Sequence, residues 1–214
     1  LDWDIILPTP CWVSYAPQAE IAGNPIHFIH TQFEDGWRLT ANLLNEYINN
    51  NKTSKNRLII LNYPGNPDGS TYSNNELKEI AEIFRKNKIT VLSDEIYGLI
   101  NHNGTHSSIA KYYREGTIVS SGLSKWCGAG GWRLGTMSFP DELSRLLKPM
   151  TAMASETYAA VSSPIQYAAI SAFLGSPIID DYLFHVRRIL KIIGESCFNI
   201  LNGNDVNVVS PQGG

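Results

Sequence analysis

Short apolar runs alternate with amphipathic helical patterns along most of the chain, which is typical of repeated strand–helix units built around a parallel sheet. The run Arg57–Asn62 is nearly continuous in aliphatic residues, as expected for a strand covered on both faces. The pattern predicts strands at Asp4–Leu7, Pro25–Ile29, Arg57–Asn62, Ile89–Ser93, Thr117–Ser121 and Leu134–Phe139. We therefore expect an α/β fold with a mostly parallel sheet.

Helical patterns fill the spaces between these strands and dominate after Phe139. The clearest helix begins at Ser73, because Ser73 and Glu76 form a capping-box pattern ahead of an apolar stripe. Further helices are predicted at Thr40–Asn49, Asp141–Ala154, Ser163–Leu174 and Ile178–Leu201.

The last predicted helix is long, and a long helix leaving an α/β body commonly connects to a second domain. We expect its apolar stripe to lie in a core; the stripe comprises Tyr182, Leu183, Val186, Ile189, Leu190 and Ile193. A short strand signal follows it at Val206–Val209.

Composition restricts the kinds of partner. Hydrophobic residues make up 43% and charged residues 17% of the chain, and the formal charge of −3 gives no basic surplus for nucleic acid. No apolar run approaches the roughly 20 residues needed to cross a bilayer. The three cysteines lack metal-ligand or redox spacing, which favours free thiols in a reducing compartment. We therefore expect a cytoplasmic protein without a metal site.

Residues with useful chemistry follow several predicted strands, where open parallel sheets place their ligand sites. Lys125 lies in an apolar, glycine-rich run, and loss of water there lowers the pKa of an amine toward that of a nucleophile. Arg133 follows with a guanidinium fork suited to phosphate, and Asp94 ends an apolar run upstream. An amine, a carboxylate and an arginine in these places indicate a cofactor site.

Three motifs occur in a specific order: Asn66-Pro67-Asp68-Gly69, then Asp94 with Tyr97, then Ser124-Lys125 with Arg133. Together they resemble the class I/II aminotransferases, pyridoxal-phosphate enzymes of fold type I, over about Pro8 to Arg133. The resemblance implies a three-layer sandwich. It also implies that residues 1–177 form a cofactor-binding large domain without its N-terminal part. Residues 178–214 would then be the connecting helix and the start of a truncated small domain.

The resemblance also assigns roles. Lys125 would hold pyridoxal phosphate as a Schiff base and shuttle a proton, and Asp94 would pair with the protonated ring nitrogen. Tyr97 and Asn66 would donate hydrogen bonds to the phenolic oxygen of the cofactor. The catalytic residues implied are thus Lys125, Asp94 and Tyr97.

The remaining cofactor contacts implied are a stacking face and a phosphate seat. Trp12 would stack on the ring. Arg133 would bind the phosphate through two N–H groups, assisted by Ser124 and Ser121. Gly122 stands where many family members carry serine, which puts one phosphate contact in doubt.

The implied activity is transfer of an amino group between an amino acid and a 2-oxo acid, in a homodimer with active sites at the interface. Two alternatives stay open. The same residues serve carbon–sulfur lyases and other elimination enzymes, and they occur in the sensing domains of some transcription regulators. The upstream phosphate loop, the carboxylate-binding arginine and the partner's tyrosine of the family are expected outside residues 1–214.

Overall fold

A computed structural model describes residues 3–202 and 206–214, and its described part is organised around a six-stranded sheet. The strands are β1 (Trp3–Thr9), β2 (Ile26–His30), β3 (Asn56–Asn62), β4 (Thr90–Asp94), β5 (Thr117–Gly122) and β6 (Gly135–Ser138). Their order across the sheet is β2-β1-β3-β4-β5-β6. All neighbours pair in parallel except β5 and β6, which are antiparallel. The predicted α/β fold with a mostly parallel sheet is confirmed.

Six α-helices accompany the sheet in the described residues: α1 (Tyr15–Ile21), α2 (Ala41–Asn50), α3 (Asn74–Lys86), α4 (Leu147–Thr157), α5 (Ser163–Leu174) and α6 (Pro177–Leu201). Helix α1 was not among the predicted helices. It has only seven residues and no side-chain hydrogen bond at its N-cap, so it has too few turns to produce a recognisable apolar period.

The sheet is covered on both faces because the side chains of its strands alternate. On β3, Ile59 and Leu61 belong to the core that contains Leu44 of α2 and Phe84 of α3. Leu58 and Ile60 point the other way and pack in a second core with α1. This alternation produces the three layers.

After β6, one prediction is confirmed and one was wrong. The helix expected over Asp141–Ala154 is present, as a 3-10 helix at Asp141–Leu146 that continues as α-helix from Leu147. The expected strand at Val206–Val209 is absent from the sheet, and Val206 is exposed. Instead, Gly213 pairs with Asn101 in an isolated antiparallel bridge.

Helix α6 spans 25 residues, so it is about 37 Å long at the usual rise of 1.5 Å per residue. The expectation that its whole apolar stripe is core was also wrong, because only Leu183 is fully buried. Tyr182, Ile189 and Ile193 are exposed. Within the described residues, the helix is therefore packed along one side only.

The start of α3 offers a test of the local signal that predicted it. The Ser73 hydroxyl accepts a hydrogen bond from the Glu76 N–H, and the Glu76 carboxylate accepts one from the Ser73 N–H. We expect Ser73→Ala to lower the free energy of unfolding by about 1 kcal/mol, since one orphan N–H loses its acceptor. Chemical denaturation measures this loss. Asn75→Ala, at an exposed position of the same helix, is the control, and an equal loss there would contradict a capping effect.

Candidate active site

The register of three parallel strands brings three polar residues side by side at the carboxyl edge of the sheet. Asn62 pairs with Asp94, and Asp94 pairs with Ser120. Beside this row the strand order reverses. From β1, the chain continues to β2 on one side of the sheet, and then to β3 on the other side. Such a switch point leaves a crevice beyond the strand ends, where ligands of open α/β sheets bind.

A cavity of about 280 Å³ occupies this crevice. Its size is close to the lower end of the roughly 300–1,000 Å³ typical of ligand pockets. The lining residues are Trp12, Tyr15, Asn62, Asn66, Asp94, Ile96, Tyr97, Ser120, Ser124, Lys125 and Arg133. All of the predicted site residues except Ser121 are therefore brought to one cavity.

Asp94 ends β4 and is half-buried at the cavity wall. Its Oδ2 accepts a hydrogen bond of 2.6 Å from the Tyr15 hydroxyl, and its Oδ1 accepts one of 3.3 Å from the Ile96 N–H. Burial raises the pKa of Asp94, whereas these two hydrogen bonds and the charge of Lys125 act in the opposite direction. A cationic ligand group beside this carboxylate would favour its ionised form further.

Tyr15 is a site residue that the sequence reasoning missed. Burial, together with the charge and hydrogen bond of Asp94, raises the pKa of Tyr15, so its hydroxyl keeps its proton and acts as a donor. The ring of Trp12 meets that of Tyr15 edge to face, with centroids 5.3 Å apart. Trp12 precedes α1 and is joined to it by a turn, in which the Tyr15 N–H donates to the Trp12 carbonyl. The contact of Tyr15 with Asp94 had no local signal in the sequence.

Asn62 is a second missed residue, and it connects two parts of the site. Its side-chain N–H donates to the carbonyl of Asp94 at 2.9 Å, and its Oδ1 accepts from the Asn66 N–H at 2.8 Å. One amide thus fixes the end of β4 relative to the loop that carries Asn66. A polar residue ending an otherwise aliphatic strand was the signal in the sequence.

Lys125 lies at the cavity but is exposed, so the expectation of a lysine removed from water was wrong. Its neighbours Leu123 and Trp126 take the buried positions of this turn and leave Lys125 on the opposite side. The Lys125 Nζ lies 5.5 Å from the centroid of the Tyr97 ring, within range of a cation–π contact. Two of the three predicted catalytic side chains, Lys125 and Tyr97, are therefore neighbours.

The predicted role of Ser121 at the cavity is not supported by its position. Adjacent residues of a strand point to opposite faces, and it is Ser120 that lines the cavity, together with Ser124. Gly122 leaves no room for the serine that the family resemblance would place there. A Cβ there would lie 2.7 Å from the carbonyl oxygen of Leu134 on the approach to β6.

Arg133 adopts a left-handed backbone conformation (φ 55°) directly after a 3-10 turn. Its Nη1 donates to the Gly130 carbonyl at 2.8 Å, which holds the guanidinium across the turn. A guanidinium has five N–H donors, so the others are available to an anion in the cavity. The exposed side chain, with Ser120 and Ser124, is suited to a phosphate group.

Glu95 follows Asp94 directly but belongs to a separate, buried network. Its carboxylate accepts hydrogen bonds from Ser93 (2.8 Å), His106 (2.8 Å) and Ser108 (2.5 Å). Burial opposes ionisation of Glu95, but the hydrogen bonds from His106 and Ser108 outweigh it and lower the pKa of Glu95. The segment after β4 is therefore held at the cavity by the hydrogen bonds of Asp94 and in the interior by those of Glu95.

The profile of the family described as aminotransferase class I and II matches residues 2–214, nearly the whole chain. The chain belongs to the class I and II aminotransferases. Members of this family use pyridoxal 5'-phosphate.

Individual relatives agree with this family. The chain is 34% identical, over 98% of its length, to an aspartate aminotransferase of Bacillus sp. (strain YM-2), and covers 52% of that protein. It is 36% identical, over 81% of its length, to an asparagine–oxo-acid transaminase of Streptococcus mutans, of which it covers 43%. The chain thus spans about half the length of the curated relatives it matches.

Solved structures show the same fold. An aromatic aminotransferase from Pyrococcus horikoshii superposes on the whole chain with a TM-score of 0.90 at 30% identity, and the chain covers 56% of it. The chain thus has the α/β fold of the fold type I aminotransferases.

The side chains that line the cavity match the chemical groups of pyridoxal phosphate. The Asp94 carboxylate, which retains free lone pairs toward the cavity, suits the ring nitrogen, and Lys125 supplies an accessible amine. Asn66 and Tyr97 offer donors for the phenolic oxygen, and Trp12 offers a flat face. The residues present therefore fit the cofactor of the family.

The contact between Tyr15 and Asp94 yields a prediction. Tyr15→Phe removes a donor to the ionised carboxylate, so we expect the pKa of Asp94 to rise further. We expect affinity for pyridoxal phosphate to fall roughly tenfold, the worth of one hydrogen bond to a charged group. Infrared titration of the carboxyl band in the apoprotein and equilibrium cofactor binding measure the two effects. Tyr167→Phe, at an exposed position, is the control. Unchanged titration of Asp94 would contradict this role of Tyr15.

The Glu95 network predicts a pH dependence of stability. The pKa of Glu95 in the folded state lies below its ordinary value of 4.5, so the network stabilises the protein above pH 4.5. That stability is lost as the pH falls through the folded-state pKa. Glu95→Gln should cost about 1–3 kcal/mol at neutral pH and flatten the loss of stability in acid.

Urea denaturation between pH 3 and pH 7 checks this expectation. Glu79→Gln, at an exposed position on α3, is the matched control and should leave both quantities unchanged. If the free energy of unfolding of Glu95→Gln fell with pH as steeply as that of the unaltered protein, Glu95 would not be the group that causes the acid dependence of stability.

Proposed function

We propose that the protein is a pyridoxal-phosphate-dependent aminotransferase that moves an amino group between an amino acid and a 2-oxo acid. The observation that supports it is the convergence of Lys125, Asp94, Tyr97 and Asn66 on one cavity in a chain of this family. The names of the relatives, which include aspartate, asparagine–oxo-acid and aromatic aminotransferases, also support transfer of an amino group.

The cofactor, when bound, supplies an aldehyde carbon that accepts the amino group and a ring that takes up electrons from the substrate α-carbon. Asp94 would hold a proton on the ring nitrogen by presenting its carboxylate. Tyr15 and the Ile96 N–H keep that carboxylate oriented, because each occupies one of its oxygens.

Lys125 has two tasks in this proposal. Its Nζ would hold the cofactor at the aldehyde carbon, with loss of water. Once displaced by the amino group of the substrate, it would accept the proton from the substrate α-carbon. Tyr97 lies against Lys125 and, with Asn66, donates hydrogen bonds to the phenolic oxygen. Arg133, Ser120 and Ser124 bind the phosphate, and Trp12 covers one face of the ring. We do not assign a phosphate contact to Ser121.

We also propose the finer organisation implied by the family resemblance. Residues 1–177 belong to the large domain, and residues 178–214 lead into a small domain. The support is the length of α6, its exposed apolar residues and the fraction of each relative that the chain covers. Exposed aromatic residues on α5, Tyr167 and Phe173, are consistent with a homodimer.

We place the protein in the cytoplasm, in a biosynthetic pathway of amino acids. The three cysteines, Cys11, Cys127 and Cys197, are all unpaired, which is typical of a reducing compartment. In the described residues, none of the helices is both long and apolar enough to cross a membrane.

The attachment of the cofactor to Lys125 is testable. The purified protein with pyridoxal phosphate should develop a visible absorbance band, and borohydride should fix the cofactor permanently on the Lys125 peptide. Mass spectrometry of the digest identifies that peptide. Lys125→Ala should lose the label entirely. Lys148→Ala, at an exposed position away from the cavity, should keep it.

The reaction is tested with a panel of amino donors against 2-oxoglutarate and pyruvate. Transamination yields a new oxo acid and a new amino acid in equal amounts. Release of ammonia with loss of a side-chain group would show elimination instead. Cofactor binding without any turnover would favour a sensing domain over an enzyme.

A further inference from the structure

Residues 211–213 lie across two loops of the protein and make hydrogen bonds to both. The Gln212 N–H donates to the Gly69 carbonyl at 2.7 Å, and the Gln212 carbonyl accepts from the His102 N–H at 2.8 Å. The side-chain Oε1 of Gln212 accepts a third hydrogen bond, of 2.9 Å, from the Thr71 N–H. One residue thus connects a loop that follows β3 to one that follows β4. We call residues 211–213 the strap.

The strap also fits tightly between these loops. A Cβ added to Gly213 would lie 2.5 Å from the Cγ of Pro64, and one on Gly69 would lie 2.9 Å from the Cβ of Pro211. Gly213, which is buried, donates to the Gly69 carbonyl at 3.2 Å and pairs with Asn101. Neither glycine can be enlarged without moving a loop.

Both loops carry residues of the cofactor cavity. Asn66 lies between Pro64 and Gly69, two of the points that the strap contacts in the first loop. Tyr97 lies four residues before Asn101, within the second loop, and a Cβ added to Gly214 would lie 3.9 Å from the Cδ1 of Tyr97. The strap therefore contacts both of the loops that carry these two cavity residues.

The strap is attached to α6 as well as to the loops. A Cβ on Gly194 of α6 would lie 2.7 Å from the Cγ of Pro211, so helix and strap are in close contact. The part of the chain that follows the long helix is thus in mechanical contact with the cavity wall.

We propose that the strap positions Asn66 and Tyr97 for binding the cofactor, with Gln212 and Gly213 as its positioning residues. This inference rests on the proposed function, because it assumes that both side chains donate to the phenolic oxygen of pyridoxal phosphate. Loss of either donor disfavours the anionic oxygen, which moves the pH midpoint of the cofactor's visible absorbance change upward.

The test compares four variants of the full-length protein. Gln212→Leu removes the side-chain acceptor, and Gly213→Ala pushes against Pro64. Each should raise the dissociation constant of pyridoxal phosphate about fivefold, the worth of one hydrogen bond, and raise the absorbance midpoint measurably. In the apoprotein, hydrogen exchange should accelerate at residues 64–68, which the Gln212 side chain does not contact. Gln212→Glu keeps a side-chain acceptor and should restore wild-type behaviour.

Ser210→Ala is the matched control, since Ser210 is exposed two residues before Gln212. The inference is overturned if Gln212→Leu and Gly213→Ala lower only the melting temperature and leave the absorbance midpoint and the exchange of residues 64–68 unchanged. If one variant fails to fold, the other decides. An unaltered protein without a visible cofactor band would instead defeat the proposed function, and the assignment of the strap with it.

Discussion

The in-register pairing of β3, β4 and β5 is the constraint on which the candidate site depends. It places Asn62, Asp94 and Ser120 in one row at the carboxyl edge of the sheet. A shift of one residue in any of these strands would turn its last polar side chain to the opposite face. The hydrophobic cores on both faces oppose such a shift, because every inward residue would move with it.

The segment after β4 shows how two carboxylates next to each other in sequence acquire different environments. Asp94 faces the cavity and shares its oxygens between a tyrosine and a backbone N–H. Glu95 faces the interior and is satisfied by two hydroxyls and a histidine. One is left with capacity for a ligand, whereas the other anchors the segment. Both residues are carboxylates, so residue type does not show which of them is available to a ligand. The direction in which each side chain points, toward the cavity or toward the interior, decides it.

Much of this arrangement could be predicted from the sequence, and the remainder has identifiable causes. The continuous aliphatic run of β3 and the capping box of α3 are local signals that survive in the fold. The contribution of Tyr15 depends on a contact across 79 positions of sequence, for which no local pattern exists. The choice between Ser120 and Ser121 depends on which face of β5 meets the cavity. The exposure of Lys125 depends on which neighbours take the buried positions of its turn.

That exposure has a consequence for chemical selectivity. An amine buried in a dry pocket is protected from stray electrophiles, but the Lys125 amine is open to water in the described part of the chain. Any small aldehyde in solution has access to it. Under the proposed function, a preference for one particular aldehyde would come from simultaneous recognition of its other groups by Asp94, Arg133 and Trp12. Selectivity would then depend on these contacts together and not on the reactivity of the amine.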